Sequence, residues 1–365
     1  MSRVVYLHVG APKTGTTFLQ DRLRQNRNSL ADHGVHYPLG LLSSHFRPAL
    51  DLVQMDWGGL GPASQGQWDA LMRRVRRLDD TVIIDHEILS TATPEQVKRA
   101  MDDLASSDEV HIVYSARDIA RQIPAEWQEG IKLGRRWTYK RFIRRVRRSF
   151  DGRKDMPFWR SQGLPDVLMR WGAGLPPERV HVVTVPQAGA EPDLLWRRFC
   201  QVFGIDPAWA PEDRARANES MGIAEIAVVR QLNTHLAGIG IDFTTAQDLI
   251  KELLVNRHLA QRDDLVKATL PPRLYPWAEE VANHWIDWIE GSGIDVVGDV
   301  EDLRPVPPPK GARWADPDRP DPAQVAEAAI EALAVMTREA AEREDPNAQI
   351  TVRMSKAARR LRGEE

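Results

Sequence analysis

The stretch HVGAPKTGTTFLQ, residues 8–20, decides the fold. It overlaps the end of VVYLHV (4–9), an apolar, β-branched run that reads as a strand. It leads into TFLQDRLRQNRNSL, where Phe18, Leu19, Leu23 and Leu30 fall near helical spacing. A glycine-bearing turn between a strand and a helix aims backbone N–H groups at an anion, and the helix N-terminus adds partial positive charge. Gly10 and Gly15 keep the Walker A spacing, with four residues between them, but the lysine and hydroxyl that close that motif are replaced by Thr16-Thr17. The lysine stands inside the turn, at Lys13, and Pro12 stiffens the turn while giving up an N–H. Thr16 and Thr17 open the helix, where their hydroxyls reach the same anion. The candidate anion contacts are therefore Gly10, Pro12, Lys13, Thr14, Gly15, Thr16 and Thr17.

Further strands are expected at TVIID (81–85), VHIVYSA (110–116) and VHVVTV (180–185), with GVHYP (34–38) a short strand or a turn. Helical patterns separate them, among them PEQVKRAMDDLA (94–105). Continuous apolar strands alternating with helices predict a three-layer α/β/α fold: a central parallel sheet of the P-loop NTPase kind with a helical C-terminal half. The expected organisation is one domain over 1–304, with a sheet region to about 205 and a helical region over 206–304. A Pro-rich linker or surface-hugging arm, PVPPPKGARWADPDRPDP, follows over 305–322, then a helical extension over 323–365. In that extension Val325, Ala329, Leu333, Met336 and Ala340 form a stripe that docks on the domain or on a second copy of the chain. The last fifteen residues are basic and are expected to be loose.

The chain has 365 residues, 42% of them hydrophobic, enough for a sizeable core, and a mean hydropathy of −0.43. No stretch approaches the 18 apolar residues that would span a membrane, and the N-terminus lacks the marks of a signal peptide, so a cytoplasmic protein is expected. Its one cysteine, Cys200, lies in an apolar helical run and reads as a structural thiol. A formal charge of −3 predicts no polyanion partner by itself.

In nucleoside triphosphatases the lysine follows the second glycine and reaches the β- and γ-phosphates, while the next hydroxyl holds Mg²⁺. Lys13 precedes the second glycine and is placed beside the anion instead. That arrangement suits a terminal phosphate carrying a transferable group. A sulfonyl group bears less charge than a phosphoryl group, so a metal is less necessary and a lysine can stabilise the leaving oxygen. The pattern G-x-P-K-x-G-T-T-x-L-Q, here Gly10, Pro12, Lys13, Gly15, Thr16, Thr17, Leu19 and Gln20, resembles the 5′-phosphosulfate loop of the sulfotransferases that use 3′-phosphoadenylyl sulfate (PAPS). The resemblance covers roughly 1–205, more weakly to about 235. It implies transfer of a sulfonyl group from PAPS to an acceptor hydroxyl, or less readily an amine, leaving 3′,5′-ADP and requiring no metal.

The resemblance also implies a 3′-phosphate site, made by an arginine after a strand and a serine eight residues on. Arg117 matches, whereas the second position is Ala125, leaving Ser115, Arg121 or Gln122 to donate in its place. Arg117 can equally cap a strand end or pair with Asp118. Related enzymes carry a glutamate base in a turn that corresponds to DHEILS, where Glu87 matches by position. His86 is the second choice, because histidine is the base in the cytosolic branch and titrates near neutrality. The run IID also resembles a Walker B strand end, with Asp85 on Mg²⁺, and Asp85 or Glu87 can simply cap a helix over 88–105. RARANESMGIAEI (214–226) resembles a loop that covers the nucleotide, so Arg214, Arg216 and Asn218 are possible donors; Asn218 or Ser220 can equally cap the next helix. His45 is a candidate contact to the acceptor.

The segment 132–160 has twelve basic and two acidic residues, interleaved with aromatics. It reads as a solvated helical face, or as a docking patch for an anionic acceptor or the surface of a membrane. No nucleic-acid module accompanies it, and no nucleic-acid partner is expected. The acceptor is expected to be a small molecule, a carbohydrate or a glycolipid. Trp277, Trp285 and Trp288 read as core rather than as a sugar platform. Two rival functions are an ATP-dependent kinase or NTPase using Asp85, and a non-catalytic nucleotide-binding protein.

Overall fold

The computed structural model describes residues 3–39, 44–150, 157–212 and 220–343. Its strands are β1 (Arg3–His8), β2 (Val35–His36), β3 (Asp80–Asp85), β4 (Glu109–Ala116), β5 (Val180–Thr184) and β6 (Asp295–Val297). They form one sheet in the order β2-β3-β1-β4-β5-β6, and every pairing is parallel. The fold is α/β, with helices on both faces.

The alternation of side chains along each strand explains the two layers. Val82 and Ile84 of β3, Ile112 and Tyr114 of β4 and Val182 of β5 face the larger core, with the helices Pro94–Leu104, Ile119–Lys132 and Tyr275–Ser292. Ile83, Val113 and Val183 face the smaller one, with Leu19 and Leu23 of the helix Thr16–Gln25 and Trp196, Phe199 and Phe203 of the helix Leu194–Phe203. Both faces are thus dry, as a parallel sheet requires. Cys200 lies in the smaller core, and burial raises its thiol to about 12.

β1 is central, pairing with β3 on one side and β4 on the other. The chain leaves β1 toward β2 and β3, then crosses to β4. This reversal of strand order leaves a crevice at the carboxyl edge, where parallel α/β sheets hold ligands. The loop after β1 opens into it.

Several expectations change. GVHYP does supply a strand, the two-residue edge β2. β6 lies well beyond residue 205, so the helical part returns to the sheet. The helix after β3 starts at Pro94, and its cap is Thr93 in a capping box with Gln96, not Asp85 or Glu87. Residues 87–91 form instead a 3₁₀ turn capped by His86. The C-terminal helix Pro322–Glu342 buries Ala328 and Ala332 against the rest of the protein, while Leu333 is 63% exposed. The docked stripe is therefore rotated in part from the expected one: Ala328 and Ala332 are the buried residues, while Met336 of the expected stripe packs partly against the core. Trp277 and Trp285 are buried, and Trp288 packs partly against the same core. The expected loose basic end lies outside the described residues.

Candidate functional site

The loop between β1 and the helix Thr16–Gln25 is bound to β4. Val9 N–H donates to Val113 O at 2.9 Å, Ala11 N–H to Ser115 O at 2.9 Å and Ser115 N–H to Gly10 O at 2.6 Å. Side chains fix the remaining carbonyls. Thr14 Oγ1 donates to Ala11 O at 2.5 Å, Gln162 Nε2 donates to Pro12 O at 3.1 Å, Gln122 donates to the same oxygen, and Arg117 donates to Lys13 O at 3.3 Å. These bonds fix the course of the loop against β4. Gly15 is required twice over: its φ is 90°, and a Cβ there would lie 2.6 Å from Leu195 Cδ2. Gly10, at φ 128°, rests on the turn that carries Glu87, where a Cβ would meet Ser90 Cβ at 3.1 Å.

Beneath the loop runs a fully buried chain of polar groups. Asp85 Oδ1 lies 2.8 Å from His8 Nδ1, His8 Nε2 lies 3.1 Å from Ser115 Oγ, and Ser115 Oγ lies 2.5 Å from Thr14 Oγ1. Asp85 is thus turned inward to His8, does not line the cavity that the loop opens into, and keeps its Oδ2 buried without a partner among the described residues.

The loop opens into a cavity of about 1010 Å³. Pro12, Lys13, Gly15, Thr16 and Thr17 line it on the loop side, with Arg117, His86 and Glu87 from the neighbouring strand ends. Gly10 and Thr14 do not line it: the Thr14 side chain is fully buried in the chain of polar groups, and Gly10 is covered by the 87–91 turn. His45 does not line it either. Its Nδ1 accepts from Asp85 N–H at 3.2 Å, its Nε2 lies 3.2 Å from Pro38 O, and burial lowers it to about 4. It is a neutral prop for the end of β3. Arg214, Arg216 and Asn218 lie outside the described residues, and the next helix begins at Ile223 with Gly222 as its cap, not Ser220.

Glu87 accepts from Gln20 Nε2 at 2.9 Å, and its carboxylate lies 3.7 Å from His86 Nδ1. Burial alone would raise its carboxyl, but His86, Gln20 and Lys13 outweigh it, so Glu87 titrates below the usual range. His86 Nδ1 accepts from Ile88 N–H at 3.2 Å, which leaves Nε2 as the protonated nitrogen of the neutral ring.

Arg117 is brought down to about 10 by burial, with Arg121 beside it, and remains cationic near neutrality. Its Nε is buried without a hydrogen-bond partner among the described residues, and the residue lines the cavity. Ala125 lines the cavity, but none of the three proposed substitutes for a serine there does. Ser115 belongs to the buried chain, Gln122 holds Pro12 O, and Arg121 donates to Pro186 O at 2.8 Å and pairs with Asp118.

Reading strand ends alone missed one face of the helix Ile119–Lys132. Glu126, Glu129 and Lys132 recur there every third residue and line the cavity. Lys13 Nζ donates to Glu129 Oε2 at 2.5 Å, and Lys251, from the π-helix Gln247–Asn256, donates to Glu129 Oε1 at 3.0 Å. Burial would raise Glu129, but Lys13 and Lys251 hold it down at about 2. Glu126, bonded to Gln162 at 3.1 Å, is pushed up to about 7 by burial despite Lys13. Burial likewise lowers Lys132 to about 8. The i, i+3 spacing of charges in AEWQEGIK was the available signal.

No protein-family model matches this chain, and no curated protein matches it. Among solved structures, the crystal structure of a sulfotransferase from Alicyclobacillus acidocaldarius is similar over 71% of this chain and 100% of its own, at 16% identity and a TM-score of 0.40. At that identity and score, the functional reading below rests on the residues of this chain alone. No helix among the described residues is long and apolar enough to cross a membrane.

Proposed function

We propose that this protein is a PAPS-dependent sulfotransferase acting on an acceptor hydroxyl. The observation that carries the reading is the loop with its lysine inside the turn, opening on the cavity at the carboxyl edge of β1 with Arg117 and Glu87 beside it. PAPS supplies the sulfonyl group and departs as 3′,5′-ADP. The loop N–H groups with Thr16 and Thr17 hold the 5′-phosphosulfate end, and Arg117 takes the 3′-phosphate. Lys13 stabilises the charge left on the departing phosphate oxygen, for which it must exchange Glu129 for the ligand. Glu87 takes the acceptor's proton as the acceptor oxygen bonds to sulfur, with His86 the second candidate. The acceptor belongs to a small molecule, carbohydrate or glycolipid. Phe46, Trp57, Trp127, Trp137, Phe158 and Phe243 line the cavity and favour one with an apolar body.

Calorimetry with 3′,5′-ADP, ADP and ATP tests the donor. Clear preference for 3′,5′-ADP, undiminished by EDTA, is expected; preference for ATP with Mg²⁺ overturns the reading. With labelled PAPS and an acceptor panel, Lys13→Ala is expected to lower turnover on the order of a hundredfold, as loss of one charge-stabilising donor does. Unchanged turnover would remove Lys13 from the reaction.

A further inference from the structure

The basic segment 132–160 serves two separate places. Lys132, Arg135 and Trp137 border the reaction cavity. The helix Tyr139–Phe150 turns its apolar face, with Tyr139, Phe142, Ile143 and Val146, into the protein and leaves the arginines on the other side. Part of that basic face forms one wall of a second concavity of about 690 Å³. Arg273 and Trp277 supply another wall, and Trp314, Asp316 and Arg319 on the 305–322 segment close it.

Six cations line this groove: Lys140, Arg144, Arg147, Arg148, Arg273 and Arg319. Among the described residues, Asp316 is the one carboxylate that lines it. No ion pair joins any of the six to another described residue. Their concentration is not a reflection of composition, since the chain as a whole carries −3. Along the helix the row from Lys140 to Arg148 spans about 12 Å, with a cation every ~5–6 Å. Like charges so spaced repel one another, and a ligand with anionic groups along its length relieves that repulsion. Guanidinium forks match carboxylate and sulfate oxygens in pairs.

The shape selects among polyanions. A flat bilayer would reach the rim of a concavity and leave its walls unused. A single-stranded nucleic acid is held largely by bases stacked on open aromatic faces. Trp277 is 9% exposed, with Arg147 5.5 Å from its ring centre and Phe150 edge-on to it, so it offers no such face. The Trp314 ring is anchored by Nε1 donating to Thr269 O at 3.2 Å. The groove therefore reads charge along a chain.

We propose that this groove binds an acidic polysaccharide chain, one bearing carboxylate or sulfate groups, at a site distinct from the reaction cavity. The proposal stands whether or not the protein transfers sulfonyl groups. Fluorescently labelled dextran sulfate and polygalacturonate oligomers are titrated into the full chain at rising salt. Single-stranded DNA and phosphatidylserine-rich vesicles are run alongside. Binding to either oligomer, tighter than to DNA or vesicles and weakening with salt, is expected. Arg144→Gln with Arg148→Gln should weaken oligomer binding by about tenfold, the combined worth of two exposed charge contacts, and make its salt dependence shallower. Their 3′,5′-ADP affinity, or their unfolding midpoint if the wild type does not bind that nucleotide, should stay unchanged, since neither arginine lines the cavity. No oligomer binding at low salt, tighter binding to DNA or to vesicles, or oligomer binding indifferent to the two substitutions each overturns the proposal.

Discussion

Replacing Glu129 by glutamine should tighten binding of 3′,5′-ADP. Glu129 stands where it competes with a phosphate for Lys13, 2.5 Å from its ammonium, and holds Lys251 at 3.0 Å from its other oxygen. Two unit charges 4 Å apart interact by about 4 kcal/mol at an effective dielectric constant near 20, an upper bound before solvent is counted. The Lys13 and Glu129 side chains are 22% and 19% exposed, so the pair lies between exposed pairs, worth up to about 1 kcal/mol, and buried ones, which cost about 3–5 kcal/mol to break. About 2 kcal/mol is therefore released when the carboxylate no longer has to be displaced, a factor of about 30. Glutamine still accepts a hydrogen bond from Lys13 and trims the gain toward tenfold. Because Lys13 and Lys251 hold Glu129 down at about 2, it is charged at every working pH, and the gain should be largest on the acid side of about 7, where Glu126 is protonated. Above about 8 Lys132 loses its proton and the affinity of both proteins should fall. Calorimetry on the wild type, Glu129→Gln, Lys13→Met and the double variant closes the cycle, and in the Lys13→Met background the gain should shrink severalfold. Equal or weaker binding by a folded Glu129→Gln protein, with Lys13→Met also neutral, would mean that Lys13 does not face the anion.

Three other perturbations follow from the same geometry. Glu87→Gln should lower turnover by about 10²–10⁴, the range for a lost general base, while 3′,5′-ADP binding changes little. Since Glu87 titrates below the ordinary carboxylate range, wild-type activity should be lost only as pH falls through that low value, and loss near neutrality would point to a group other than Glu87 as the base. His45 is neutral when folded, its value depressed from 6.5 to about 4. The stability it contributes is complete above 6.5 and is lost as pH falls toward 4, by about 3 kcal/mol in all. Urea midpoints at pH 7 and 4 should differ less in His45→Gln than in the wild type. Gly15→Ala should cost at least 1–2 kcal/mol in left-handed backbone strain, before counting the contact with Leu195, and a thermal midpoint equal to the wild type would contradict the loop geometry.

The strand-loop-helix unit could be read from residues 4–30 because both periodicities change sharply at Gly10 and Gly15. β3, β4 and β5 were legible for a related reason: each is a short apolar run, and each is buried on both faces. β6 was not, since three residues behind a glycine pair carry almost no pattern, and only pairing with β5 makes them a strand. In the site, Lys13, Arg117 and Glu87 could be picked as candidates because each follows a strand whose direction is known, and all three line the cavity. Glu126, Glu129 and Lys251 were not, because a charged residue on a helix normally faces water, and nothing local says that another element has closed over it. His45 and Thr14 were misplaced for the opposite reason. Both are polar residues next to the site, and burial turned both inward to satisfy the backbone.

The 305–322 segment lies against the protein: Asp318 accepts from the N–H groups of Tyr139 and Lys140 at 2.8 and 2.9 Å. An aspartate 179 residues downstream of Tyr139 thus terminates the arginine-rich helix at its start. Shortening the protein at residue 304 would therefore do more than trim a trailing end: it would uncap a cationic helix far upstream, where self-repulsion already works against it, and that helix would fray first.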